Sequence, residues 1–393
     1  MGRTLLRGAE LLDPEAVESS PGSLLLEDGR IAARLPARAG APEDAHCVDL
    51  SGLAVAPGFL DLHHHGRVIF SDAEGLSAAL LHDAACLARQ GTTAFLVTTV
   101  ATPSDGLLGV VGRLSERIAE GLPRSLSEPL GIHLEGPWIN PEAAGAHSPQ
   151  GIRRFDPLEG DALWARAGGL IRMVTLAPEL EGAWELIERL VRVGGVASLG
   201  HSLAPADIVT QAVTRGAQHV THLFNAMGSM HHRAPGLAGA ALAEDRLSCD
   251  LICDGVHVHP RMLAVAARAK GNGLVLITDR LDPPQEPRGP LRTEGLRDDG
   301  VAYRLGDGRL AGSRLDLARA LANARSMAAM TRLEAIAACS LRPARLLGLE
   351  SERGTLRPGA RADLVVLDAA DRVIETWIGG ERVHASGARG QDG

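Results

Sequence analysis

The sequence predicts an α/β chain, a (β/α)8 TIM barrel joined to a small β-sandwich formed by both termini. Three observations point to it. Six short apolar runs each stop on polar groups, in DLHHH, HLEGP, SLGHS, THLFNAM, CDGVHVH and LITD, as buried parallel strands do when they deliver side chains to one common face. The length of 393 residues suits a barrel of roughly 250 residues plus a smaller module. Both ends of the chain share a texture of short strands and turns that the middle lacks.

Residues 1–55 and 346–393 make up the predicted small domain, and 56–345 the barrel. TLLRGAELL, SLLLEDGRIAARL and DLSGLAVAP read as strands, with Asp28-Gly29 as a hairpin turn. Barrel strands are predicted at 55–61, 93–100, 129–134, 171–177, 196–200, 218–222, 248–253 and 273–278, the number a closed barrel requires. Stretches rich in Ala, Leu and Arg, such as SAALLHDAACLARQ and DLARALANARSMAAM, separate them as helices. GTLRPGARADLVVLD and RVIETWIGGERVH, divided by a turn at Ala370-Asp371, complete the small domain, and the last eight residues are predicted to be disordered.

A net charge of -8 leaves no basic field to recruit nucleic acid, and no run of eighteen apolar residues suggests a membrane span. The five cysteines, Cys47, Cys86, Cys249, Cys253 and Cys339, are scattered, and no apolar signal segment follows the first methionine, so a reduced cytoplasm is the expected compartment. Cys249 and Cys253 sit in an apolar strand-like run and read as core packing rather than a metal site.

The chemistry lies at the strand ends. His63 and His65 form an HxH pair whose period-two spacing points both rings to one side, so they can hold one metal together. Glu135 follows GIHL and precedes the turn Gly136-Pro137; His201 follows VASLG and His222 follows HVT. One oxygen and two nitrogens with an open position are the make-up of a catalytic zinc site. Each of these histidines alone is more often a satisfied structural residue, but three groups at separate strand ends reverse that weighting. Asp279 ends the most apolar strand, where a carboxylate can take a proton from an activated water and return it to a leaving group; its bland alternative is a helix N-cap. His257, after Asp254-Gly255, is read as functional and His259, beside Pro260, as structural. His147 and Arg233 lie in loops from which they could bind an oxyanion. The only lysine is Lys270, before the last strand, so a carboxylated strand lysine is excluded and Glu135 must supply the anionic ligand.

Taken together, PGFLDLHHHG, GIHLEGPWINPEAAGAHSP, SLGHS, VTHLFNAMGSMHHRAPGLAGAAL, CDGVHVHP, LITD, LAGSRLDLARALANA and GTLRPGARADLVVLD closely resemble N-acetylglucosamine-6-phosphate deacetylases of the amidohydrolase superfamily, in order over nearly the whole chain. The THLFNAM segment with its following HHR and PG is specific to that family; PGFLDLHHHG and GARADLVVLD are shared across the superfamily. The resemblance implies a barrel of the metal-dependent hydrolase type and a cytoplasmic homodimer acting on a small-molecule sugar phosphate. It implies that Glu135, His201 and His222 bind the principal divalent metal, zinc first and iron, manganese or cobalt as alternatives, and that His63 and His65 make a second metal possible. By the same resemblance Asp279 is the catalytic acid/base and His147 approaches the acetamide carbonyl. Asn225, Ala226, Arg233 and His257, with Asp254 and Gly255 beside it, hold the sugar phosphate, while Ala146, Leu310, Ala311 and Gly312 line the sugar. The chain departs from the family after Asp279, where Arg280, Leu281, Asp282, Pro283 and Pro284 replace small residues, and at Ala143-Ala144-Gly145 and Ala234. These departures keep open another N-acetyl sugar or an N-acyl amino acid as substrate. A non-catalytic sugar-phosphate sensor would show a lost ligand or a lost acid/base, and neither is lost here.

Overall fold

Eight parallel strands pair in sequence order: β1 (Phe59–Gly66), β2 (Thr92–Thr98), β3 (Glu128–Glu135), β4 (Ile171–Leu176), β5 (Val196–Leu199), β6 (His219–Val220), β7 (Ser248–Ile252) and β8 (Leu274–Ile277). The structure, a computed structural model, describes residues 2–285 and 295–387. Seven strands fall within a few residues of their predicted places because nearly every residue in them is buried between helices outside and packed side chains inside. The stretches predicted as helices become Leu76–Arg89 and Leu317–Met327, the second capped by Asp316, whose carboxylate accepts the Arg319 N–H.

The first predicted strand, 55–61, is corrected. Residues Ala54–Pro57 pair antiparallel with Leu364–Leu367 in the terminal sheet, and the barrel strand β1 begins afresh at Phe59 and runs through the triple histidine. The chain changes sheets at Gly58, where a Cβ would collide with the Thr93 side chain on β2 and the backbone N–H is taken by Asp363 O at 2.8 Å. His63 and His65 therefore lie inside a strand, fixed by its ladder, rather than beyond its end.

The barrel closes between β8 and β1. Asp279 N–H donates to His63 O at 2.9 Å, and Thr278 gives its N–H and hydroxyl to the Asp61 carboxylate at 3.3 and 2.5 Å. Asp61 is fully buried and also accepts the His63 N–H. Removing an acceptor with several buried donors leaves those donors unpaired, so Asp61→Ala is expected to cost about 2–4 kcal/mol. Urea unfolding measures this, and an unshifted midpoint would mean the seam is held by other contacts.

Both termini build one continuous eight-stranded sheet, branched at Arg3–Leu11, which pairs with Ala45–Asp49 through its first half and touches Ala54–Pro57 through its second. Asp28 and Gly29 both take positive φ, 48° and 78°, as a two-residue hairpin requires, and Asp371 at 63° marks the other expected turn. Leu364–Leu367 couples the two units: Leu364 and Val366 face the terminal core while Val365 and Leu367 face the barrel core. The expected disorder of the final eight residues falls mostly on 388–393, outside the described residues. All five cysteines are free, with Cys249 and Cys253 buried in the barrel core, where burial pushes both thiols up to about 12.

Candidate active site

Three site residues leave their strands in a strained conformation. His201 and His222, two residues beyond β5 and β6, have φ of 48° and 30°, and Asp279, two beyond β8, has 48°. Left-handed backbone at residues with a Cβ costs on the order of 1 kcal/mol each, and here it turns each side chain over the barrel mouth. Glu135, the last residue of β3, stands at the centre. Its Oε1 lies 3.3 Å from His63 Nε2, 3.2 Å from His201 Nε2 and 3.0 Å from His222 Nε2, and its Oε2 lies 3.3 Å from His65 Nε2 and 3.1 Å from His147 Nε2. Asp279 Oδ1 faces His63 and His65 at 3.5 and 3.3 Å.

The donor set fits a cation. His65 and His201 each direct Nδ1 at a backbone carbonyl, Thr98 O at 3.2 Å and Ala143 O at 2.8 Å, which places their ring protons there and leaves the Nε2 lone pairs aimed into the cluster. His201 and His222 bring their Nε2 atoms to 3.1 Å, and His63 and His65 theirs to 3.2 Å, so four ring nitrogens face one another around Glu135. The same carboxylates also draw protons onto the imidazoles, and unevenly. Burial disfavours a proton on His65, yet its hydrogen bonds with Asp279 and Glu135 overcome this and raise its pKa to about 10, whereas burial lowers His201 to about 4. Burial also opposes ionisation of Glu135, but the imidazoles around it, His63 and His147 foremost, hold it well below the usual carboxylate range.

His147 differs from the other four. Its Nδ1 accepts the Ala101 N–H at 3.1 Å, so the ring proton belongs on Nε2 and that atom is a donor. Although Glu135, His147 and His201 lie close enough together to ligate an ion, His147 is thus built to donate a hydrogen bond rather than to hold a metal.

A pocket of about 370 Å³ opens above the cluster, lined by His65, Glu135, His147, His201, His222, His257 and Asp279 and walled by Ala146, Asn225, Ala226, Leu310, Ala311 and Gly312. His63 lies beneath it, fully buried. Asp254 acts through His257: it accepts the ring Nδ1–H at 2.6 Å and two backbone N–H groups, leaving the buried His257 Nε2 without a partner at the pocket wall. Gly255 forms the intervening turn with φ of 76°. Arg233 lies apart, exposed on its loop with Nη1 at 2.8 Å from His232 Nε2 and outside the pocket lining. His259 caps the helix Pro260–Lys270, and Lys270 donates to the carbonyls of Ala241 and Glu244.

The unusual segment after Asp279 is anchored by its own side chains. Arg280 donates to the carbonyls of Arg314 and Leu315, Leu281 enters the pocket wall beside Ile69, Phe70 and Val100, and Asp282 is gripped by Arg67 at 2.9 Å and His82 at 2.8 Å. Asp83, which stands with His82 and Asp282 as another ligand-like group, is engaged by the N–H groups of Arg67 and Val68.

Two features gave no sequence signal. A polar layer underlies the cluster, in which His133 Nε2 meets Thr175 Oγ1 at 2.8 Å and Thr175 and Ser198 meet Thr221 at 2.6 and 2.5 Å. Arg309 also reaches the pocket, donating to Gly145 O at 2.7 Å.

Residues 54–383 match the Amidohydrolase family. The chain is 37% identical over 400 residues to an N-acetylglucosamine-6-phosphate deacetylase of Homo sapiens, covering 98% of this chain and 92% of that protein. It is 35% identical over 365 residues to an N-acetylgalactosamine-6-phosphate deacetylase of Escherichia coli O157:H7, covering 91% and 93%. Among solved structures it resembles a mutant N-acetyl-D-glucosamine-6-phosphate deacetylase of Mycobacterium smegmatis in complex with N-acetyl-D-glucosamine-6-phosphate, with TM-score 0.87 and 32% identity over 98% of this chain and 100% of that one. The Pasteurella multocida N-acetylglucosamine-6-phosphate deacetylase superposes with TM-score 0.89 at 26% identity, again over 98% and 100%.

Proposed function

Because this chain belongs to the amidohydrolase family, we propose that it hydrolyses the acetamide of N-acetylglucosamine 6-phosphate, releasing acetate and glucosamine 6-phosphate. The observation that carries the reading is the convergence of five imidazoles on Glu135, with Asp279 beside them, at the floor of a pocket sized for one sugar phosphate. Glu135, His201 and His222 hold the principal divalent metal, zinc in the first instance. His63 and His65, together with Glu135, offer a second position. A divalent ion held there would polarise the amide carbonyl and lower the pKa of water.

The chain's own residues move the protons. Burial opposes ionisation of Asp279, but the His63 charge and the His65 hydrogen bond outweigh it and bring its pKa to about 2, so it is a carboxylate throughout the neutral range. It accepts the proton of the attacking water and returns it to the amine nitrogen as the C–N bond breaks. His147 Nε2–H donates to the carbonyl oxygen as negative charge grows there. Asn225, Ala226 and His257 bind the phosphate, Arg233 standing outside this chain's pocket, and Ala146 with Leu310, Ala311 and Gly312 frames the ring. A cytoplasmic homodimer completes the proposal. No helix among the described residues is long and apolar enough to cross a membrane.

A second reading takes the C4 epimer, N-acetylgalactosamine 6-phosphate, as substrate; the Escherichia coli relative of that name favours it, and Leu281, from the segment that departs from the family, lines the pocket. Zinc-loaded protein tested with both phosphosugars, their phosphate-free forms and N-acyl amino acids separates the readings. Fastest acetate release from the glucosamine derivative is expected. Release from neither phosphosugar would overturn the proposal.

A further inference from the structure

The proposed substrate brings a phosphate into a pocket that already holds the carboxylates of Glu135, Glu142 and Asp279. A bound metal offsets charge at the floor, but the rim needs a cation of its own. Arg309 is the one arginine, and no lysine accompanies it, among the described residues lining the pocket. It sits just before the strand Leu310–Ser313 that frames the pocket.

The geometry of its guanidinium leaves donors to spare. Nε and Nη2 donate to Asp307 Oδ2 at 2.9 and 2.7 Å, and Nη1 donates to Gly145 O at 2.7 Å. A guanidinium has five N–H groups, so three are engaged and two are left for another acceptor. Asp307 and Gly145 hold the group from two directions, which reduces the rotamer entropy lost on binding. Gly145 is itself tied to the site: a Cβ there would stand 3.1 Å from His201 Cε1, and His147 lies two residues on.

We infer that Arg309 is a specificity-determining residue that selects phosphorylated over unphosphorylated N-acetyl sugars by donating to the substrate phosphate, an inference that rests on the deacetylase reading. A planar fork rather than a point charge is wanted, since a phosphate oxygen pair accepts two N–H groups side by side.

The test is steady-state kinetics of wild type, Arg309→Lys and Arg309→Gln on N-acetylglucosamine 6-phosphate and on N-acetylglucosamine, with calorimetry of glucosamine 6-phosphate and inorganic phosphate on the same proteins. Arg309→Gln is expected to raise KM for the phosphorylated substrate about 10- to 100-fold while kcat changes far less, and to narrow the preference for phosphate by the same factor. Arg309→Lys falls between. An equal loss on both substrates, carried by kcat, would reduce Arg309 to a brace for the Gly145 loop and overturn the inference, as would an unchanged phosphate preference. Should wild type release acetate from neither sugar, the deacetylase reading fails on that result alone. The role of Arg309 is then decided by calorimetry, where phosphate binding that survives in Arg309→Gln overturns it and loss of that binding upholds it.

Discussion

Asp279→Asn is expected to lower kcat by about 10²- to 10⁴-fold while leaving substrate binding close to wild type. Asparagine fills the same volume beyond β8 and can still meet His65, but it has no basic oxygen to receive the proton of water and no acid proton to give the departing amine. Its side chain is more open than that of Glu135, 14% against 5% exposed, and it faces two imidazoles where Glu135 is shared by five. Acetate release gives kcat, and calorimetry with the phosphosugar gives binding. A variant that turns over at the wild-type rate removes Asp279 from the chemistry. The substitution also has a signature in stability. The folded pKa of about 2 lies below the value of an unfolded aspartate, so the carboxylate stabilises the protein above about pH 4 and that contribution is lost as pH falls through 2; Asp279→Asn flattens this part of the acid-unfolding curve.

Glu135→Gln is expected to be as damaging by a different route. One oxygen of Glu135 serves His63, His201 and His222 and the other serves His65 and His147, so the amide would put an N–H donor and no charge where five imidazoles now share an anion. Metal affinity should fall by at least about 100-fold and activity with it, because a directly ligating anion contributes more than the outer-shell partners whose loss already costs 10- to 100-fold. Metal content by elemental analysis, read beside circular dichroism, separates loss of metal from loss of fold. Full metal occupancy with full activity in a folded variant would exclude Glu135 as a ligand.

Much of this site is legible in the sequence because the barrel makes position and chemistry coincide: an apolar run that ends on His, Glu or Asp is both a buried strand and a delivery of that group to the mouth. Glu135, His201, His222 and Asp279 are readable for that reason. The strand around His63 begins later than predicted because Pro57-Gly58 breaks AVAPGFLDL in two, and the approach of Thr93 shows why the chain changes sheets at Gly58. The layer of Thr175, Ser198 and Thr221 is silent because a hydroxyl inside a strand looks like any β-forming residue until its partners are seen. Arg309, in the turn GDGRL, reads as a solvated loop residue, whereas Arg233, the arginine the motifs pointed to, stands outside the pocket of its own chain.

The most direct test follows acetate release from N-acetylglucosamine 6-phosphate while zinc is titrated into chelator-stripped protein, with bound metal counted on the same samples. Release should be absent at zero metal, rise with occupancy to a plateau at one or two ions per chain, and stay near zero in Asp279→Asn at equal occupancy. Acetate release that is independent of bound metal, or none at full occupancy, would contradict a metal-assisted deacetylase built on Glu135 and Asp279.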